Sequence, residues 1–201
     1  MAIPTFDKVL IGGAWVPADR GTYEIINPAT EEVAGRAPEC SAEQVGEACR
    51  AARQAFEHGP WRSMSGAERG ALLQEAADAF RRAAPSLVEL TIAETGALAP
   101  IAERLQVGEV VARLEKYADL AREPDVQAMP PLQREGVPGS AATVACGMVV
   151  REPVGVVACI SPFNFPMTNC AGKIAPALAC GNSVVIKPPP QDPMGMAELA
   201  R

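Results

Sequence analysis

The sequence predicts an α/β protein in which a small β layer leads into helices and then into part of a parallel sheet. Three observations carry this prediction. Residues 154–160 are almost continuously apolar, Ile174, Ala177 and Leu178 recur at helical spacing, and residues 183–187 form a short β-branched run. Strand, helix and strand in that order make a βαβ unit, whose crossover is right-handed. Residues 142–201 carry only four basic and three acidic side chains, which suits a buried sheet or a nucleotide crevice better than a solvated tail. Upstream, between residues 41 and 122, helical periodicity dominates.

Each element can be justified in order. Residues 1–40 read as the β layer: two apolar runs flank Gly12-Gly13, a hairpin signal, and TYEII and EEVAGRAP follow as strands, the first ended by Asn27-Pro28. Residues 41–122 read as four helices. Ser41 with Gln44 and Ser65 with Glu68 fit capping boxes. The first helix presents Val45, Ala48, Ala52 and Phe56 on one face, and the second presents Leu72, Leu73, Ala76, Ala79 and Phe80. A third is expected from about Pro85, a residue tolerated in a first turn, to Thr95, with Gly96 as its stop. A fourth is expected from about Pro100 to Arg122, with Ile101, Leu105, Val111, Leu114 and Ala118 as its buried stripe. Residues 123–141, rich in Pro and Gly, read as a loop. Residues 142–201 then hold a further strand before Glu152-Pro153 and the βαβ region.

Composition bounds the function classes. The chain has 201 residues, 48% hydrophobic and 21% charged, with a net charge of −6, which excludes wholesale disorder and allows one domain or one and part of another. Acidity, with a pI near 4.9, argues against a nucleic-acid or anionic-membrane partner, since both need a basic footprint. The charge-free stretch 153–172 is broken by Pro153, Pro162 and Pro166 and holds Asn164, Thr168 and Asn169, so it is no lipid-facing span. The six cysteines show no C-x-x-C spacing, and His58 is the only histidine, so no zinc set is expected and buried structural positions are the default for most thiols. A cytoplasmic, reducing location is expected.

Chemistry concentrates where the two parallel strands end, in SPFNFP at 161–166 and KPPP at 187–190. Ligands of open α/β sheets bind outside the carboxyl ends of their strands. Lys187 reads either as a solvated lysine at a strand end or as an ammonium donor to ribose hydroxyls or phosphate. Asn164 reads either as an Asx-turn residue or as a rigidly held amide that donates to a developing oxyanion.

Taken jointly, PFNFP at 162–166, KIAPAL at 173–178, GNSVV at 181–185 and IKP at 186–188 resemble the nucleotide-binding core of the aldehyde dehydrogenase superfamily. EPVGVV at 152–157, INPAT at 26–30 and IGGAWV at 11–16 extend the resemblance over nearly the whole chain. It implies an incomplete aldehyde-dehydrogenase-like Rossmann-type domain. The implied activity is NAD(P)-dependent oxidation of a small aldehyde to a carboxylic acid. In such enzymes cysteine attack gives a thiohemiacetal, hydride passes to nicotinamide, and the thioester is hydrolysed.

The resemblance assigns Asn164 to the oxyanion, Lys187 to the adenosine ribose of NAD or NADP, and Ser161 and Phe163 to the turn that passes along the cofactor. Phe163 departs from the commoner Trp and lacks its indole N–H. Pro190 stands where many NAD-preferring relatives carry a glutamate three residues after the lysine, which leaves the choice between NAD and NADP open. No segment resembles the nucleophilic-cysteine motif, and the catalytic domain with its glutamate base is absent from this sequence. The expected object is therefore an N-terminal portion that needs a complementing chain or forms homo-oligomers through a strand of the arm at 142–151. Two bare parallel strands leave open edges and one apolar helix uncovered. The rival is a non-catalytic remnant that binds nucleotide weakly or docks onto full-length relatives.

Overall fold

Gly12 and Gly13 both take positive φ, 59° and 81°, the backbone a two-residue turn between right-twisted strands requires. They join β1 (Lys8–Ile11) to β2 (Ala14–Pro17) as the expected antiparallel hairpin. The structure, a computed structural model, describes residues 3–136 and 141–199. β3 (Thr22–Ile26) pairs antiparallel with β4 (Val33–Pro38). Asn27 ends β3 by accepting the backbone N–H groups of Ala29 and Thr30 at 2.8 and 3.3 Å, an Asx turn.

α1 (Ala42–His58) starts at Ser41, whose hydroxyl accepts from Gln44 N at 3.1 Å. The expected capping box is only half formed. The buried Gln44 side chain instead donates to Pro17 O and accepts from Asp19 N, satisfying backbone at the end of β2. Asp19 in turn accepts the Ser41 N–H and hydroxyl, which hold its carboxyl below the usual range. Phe56 is buried, whereas Val45 of the expected stripe is exposed.

α2 (Gly66–Thr95) opens with the complete Ser65–Glu68 capping box and closes at Gly96, φ 68°. It is one helix of 30 residues with Pro85 inside, not two separate helices. A mid-helix proline costs ~3 kcal/mol. The helix continues because Leu73 and Ala77 before it and Leu87 and Thr91 after it are all buried. The fourth predicted helix also differs. It consists of α3 (Ala99–Ile101), a π-helical stretch (Ala102–Val107) and α4 (Gly108–Leu120), with Gly108 N donating to Glu103 O. The wider turn inserts a residue and shifts the phase of everything before it. Ala102, Gln106 and Val107 are therefore buried, while Leu105 of the expected stripe is 47% exposed; Leu114 and Ala118 are buried as expected.

Residues 123–141 are not simply a loop. β5 (Val126–Ala128) and β6 (Leu132–Arg134) pair antiparallel with β8 (Met148–Val150) and β7 (Thr143–Ala145) respectively. The strands show no hydrophobic alternation because both faces of this ribbon are exposed. Residues 137–140 of the expected loop lie outside the described residues.

β9 (Val156–Ile160), α5 (Pro166–Ala179) and β10 (Ser183–Lys187) form the βαβ unit, with β9 and β10 parallel from Val156–Ser183 to Ile160–Lys187. The expectation of an uncovered apolar helix is overturned. Met167, Cys170, Ala171, Ile174 and Ala175 of α5 are buried in one core with Leu73, Leu87, Val110 and Leu114. The open surface lies on the sheet instead, where Ile160 is 59% exposed and each strand has one unpaired edge among the described residues. The cysteines divide evenly rather than being mostly core. Cys159 and Cys170 are buried, Cys40 is half-buried, and Cys49, Cys146 and Cys180 are exposed.

α6 (Met194–Leu199) is tied to α2 by Glu94, whose carboxylate accepts Met194 N at 2.6 Å and Gly195 N at 2.9 Å. Burial raises the Glu94 carboxyl to about 8 against the pull of those two donors, and burial raises Asp192 to about 7. Both folded-state values lie above the unfolded ones, so their contribution to stability is complete below about pH 4 and is lost as pH rises through 7 and 8. The unfolding midpoint is expected to fall between pH 5 and 9, at up to ~1.4 kcal/mol per pH unit for each group. Glu94→Gln should leave only the share due to Asp192. A midpoint that rises over this interval in thermal scans would contradict the assignment.

Candidate functional site

The chain leaves β9 at Ile160 and turns through Ser161–Phe165 into α5, whose first residue is Pro166. Proline suits this position because its missing N–H has no helical partner there anyway. The far end of α5 is anchored. Trp61 Nε1 donates to Leu178 O at 3.1 Å and buried Arg69 Nε donates to Ala179 O at 3.0 Å. A guanidinium at a helix C-terminus also complements the helix dipole. Asn182, 4% exposed, accepts Gly155 N and donates to Ala177 O. It therefore ties the start of β9, the end of α5 and the approach to β10 into one unit. The sequence reading missed Asn182 and Arg69 as positioning residues; the only signal for Asn182 was its place between Gly181 and the strand.

The register places the residues singled out from sequence at one edge. Ile160 and Lys187 are partners at the carboxyl ends of the two strands, and Ser161 N donates to Lys187 O at 3.4 Å. The Asn164 turn thus begins beside Lys187. Asn164 is exposed, and its side chain makes no hydrogen bond to the described residues. No Asx turn forms there, in contrast to Asn27, so the amide is left to a ligand or to water. Lys187 is exposed and has no ion-pair partner among the described residues. Phe163 is 61% exposed. Ser161 points the other way: it is 5% exposed, and its hydroxyl lies near the Cys170 thiol without an oxygen or nitrogen partner. Burial pushes that thiol up to about 12, which suits a core position and not a nucleophile.

A surface hollow of about 410 Å³ is lined by Cys49, Arg50, Arg53, Gln54, Glu57 and His58 of α1. Arg53 lies against Gly155, so this hollow is at the amino end of β9, opposite the turn. Ligand chemistry belongs at the carboxyl end, which here is an open, half-walled edge carrying an unbonded amide and an unpaired ammonium.

A profile of the aldehyde dehydrogenase family matches residues 15–201. The chain belongs to the aldehyde dehydrogenase family. It is 34% identical over 193 residues to 2-hydroxymuconic semialdehyde dehydrogenase of Pseudomonas sp. (strain CF600), covering 96% of this chain and 38% of that protein. It is 36% identical over 197 residues to aminoacetaldehyde dehydrogenase of Pseudomonas aeruginosa, with the same coverage. Among solved structures, the NAD+ complex of aldehyde dehydrogenase from Bacillus cereus superposes with a TM-score of 0.84 at 33% identity, covering 96% of this chain and 38% of that one. The aldehyde dehydrogenase from Brucella melitensis biovar abortus 2308 gives 0.85 at 28% identity, again with 96% and 38% coverage. This aldehyde dehydrogenase family chain therefore spans about 38% of the length of these relatives.

Proposed function

We propose that this chain supplies the oxyanion amide and part of the adenosine site of an NAD(P)-dependent aldehyde dehydrogenase. The observation that carries this reading is the shared strand edge: Lys187 ends β10 directly beside the turn that presents Asn164, and neither side chain is engaged by another of the described residues. These residues fit a dinucleotide. Lys187 offers three N–H donors to ribose hydroxyls, and the exposed backbone beside Phe163 lies along the same edge. Bound there, the nicotinamide dinucleotide would supply the hydride acceptor. The chain's own part in the reaction is electrostatic. The Asn164 amide donates to the oxygen of the reacting carbonyl as that oxygen gains negative charge, and as a neutral group it leaves a nearby thiolate ionised. No residue of this sequence is assigned as the nucleophilic cysteine or the glutamate base.

The exposed ribbon of β5–β8 supports a role in oligomer formation. Val126, Leu132, Val144, Met148 and Val150 are each more than half exposed, a strand surface suited to pairing with a second subunit.

Cofactor preference follows from Pro190, which is exposed three residues after Lys187. Proline neither accepts from ribose hydroxyls nor repels a 2′-phosphate, so NAD and NADP should bind with affinities within about tenfold. Titration of both dinucleotides against the chain and against Lys187→Ala tests the reading. Weakening of both by the substitution is expected. Binding that ignores it, or a hundredfold preference for NAD, contradicts the assignment, and no binding of either favours the non-catalytic remnant.

A further inference from the structure

The six residues that join Lys187 to α6 read PPPQDP, four of them proline. A proline ring fixes its own φ at about −65° and restricts the residue before it, so this connector is semi-rigid. Pro189, Asp192 and Pro193 are buried, which seats the connector against the rest of the protein. What holds its far end therefore bears on where its near end, Lys187, can stand.

Glu94, in the last turn of α2, holds that far end. It is 4% exposed and accepts Met194 N at 2.6 Å and Gly195 N at 2.9 Å. Neither N–H has a partner within the first turn of its own helix, and a buried N–H left without an acceptor costs ~1–3 kcal/mol. Gly195 has little room to spare: a Cβ there would stand 3.0 Å from Glu94 Oε1 and 2.9 Å from Met167 Sδ. The methionines on either side of Gly195 enter different cores. Met194 is buried with Phe6, Ile25 and Ala37, and Met196 with Met167, Cys170 and Leu87. The start of α6 is thus gripped by the β layer, by α5 and by the Glu94 carboxyl together.

We propose that Glu94 is a positioning residue for the dinucleotide: by holding Met194 and Gly195 it fixes the proline connector, and through it the Lys187 ammonium at the strand edge. Glu94 does not touch the cofactor and acts through Lys187. The inference rests on the reading of Lys187 as a ribose donor given above. Release of the α6 start frees the connector, and Lys187 then stands in its binding position in only a fraction of the molecules. Apparent affinity for the dinucleotide falls by that fraction.

The test titrates NAD and NADP into the full-length protein that carries this segment. Glu94→Gln keeps the shape of the side chain but only one of its two acceptor oxygens, and should raise both Kd values by about 5–50-fold. Lys187→Ala should also raise them. Adding Glu94→Gln to Lys187→Ala should raise them less than about twofold further, because the residue through which Glu94 acts is already gone. Gly66→Ala, at the other end of α2, is the control for general destabilisation and should leave Kd unchanged. An unchanged Kd in Glu94→Gln, or a Glu94→Gln effect that persists in full beside Lys187→Ala, overturns the proposal. Should Glu94→Gln not fold, Gln191→Gly decides. It loosens the connector at an exposed position and should raise Kd by about two- to fivefold; no change overturns the proposal. Where neither dinucleotide binds, or Lys187→Ala binds as tightly as the parent, the cofactor reading fails and hydrogen exchange decides the coupling alone. Faster exchange in Glu94→Gln over residues 184–187 as well as 194–199 supports it, and faster exchange confined to 194–199 overturns it.

Discussion

Replacing Asn164 with alanine is expected to lower kcat for aldehyde oxidation by ~10²–10³-fold in the full-length protein that carries this segment, the usual effect of losing one oxyanion donor. The size follows from how the amide is held. Its turn is bounded by Pro162 and Pro166, α5 is anchored at its far end by Trp61 and Arg69, and Asn182 binds β9 to the end of the helix. In the proposed role the donor would be in place before the carbonyl oxygen gains charge, and none of the described residues competes for it. Asn164→Asp should lose at least as much, because it swaps an N–H donor for a second negative charge. Asn164 is exposed and its side chain makes no hydrogen bond to the described residues, so neither substitution should move the unfolding midpoint appreciably. Steady-state rates with saturating dinucleotide, alongside thermal unfolding, separate the two effects. A kcat loss of less than tenfold for Asn164→Ala would remove the amide from the chemistry.

The largest effect on stability is expected at Gly66. A Cβ at Gly66 would lie 1.9 Å from the carbonyl oxygen of Ala121, and one at Gly70 would lie 2.5 Å from that of Ala118. These glycines, one turn apart on α2, let its backbone approach the end of α4. Backbone atoms cannot swing aside as a flexible side chain would, so the two helices would have to part. Overpacking of this kind costs ~1–3 kcal/mol, and Gly66→Ala is expected at the upper end, a drop of roughly 4–12 °C in midpoint for a chain of this size. Gly46 in α1 is the control. A Cβ there would meet only the tip of the Arg50 side chain, at 3.4 Å, so Gly46→Ala should gain up to ~1 kcal/mol of helix propensity. Should Gly66→Ala and Gly46→Ala shift the midpoint equally and upward, the close approach of α2 and α4 is not a packing constraint.

Much of the architecture was legible because it rests on local signals. Gly12-Gly13, Ser65 with Glu68, Gly96 and the apolar run 154–160 each act through residues close in sequence: the hairpin, the helix start, the helix stop and a strand within that run formed where they were read, although the helices that Ser65 opens and Gly96 closes are one. The errors share a different cause. Pro85 should have ended a helix by local rules, but continuous burial on either side carried the helix through. The π-helical stretch turned Leu105 outward and Gln106 inward, an offset of one residue that no periodicity could register in advance. β5 and β6 escaped notice because a ribbon exposed on both faces has no alternating pattern to read. Gln44 abandoned its capping box because unsatisfied backbone at Pro17 and Asp19 lay within reach.

The candidate site divides in the same way. Asn164, Lys187, Ser161 and Phe163 were all named from the words around them, and Asn164 and Lys187 do stand at a single strand edge. Their surroundings came only from the folded chain: the absence of a partner for the amide among the described residues, the inward turn of Ser161, and the guanidinium of Arg113 against Gly172, which lie far apart in sequence.

The sequence by itself determined the family, the order of strand, helix and strand, and which residue types stand at the carboxyl ends of the strands, because these depend on neighbours along the chain. Only the tertiary structure decided which of those side chains remain unengaged and what lies opposite them. Hydrogen bonding and close packing between distant segments are settled by three-dimensional proximity, for which a linear pattern carries no term.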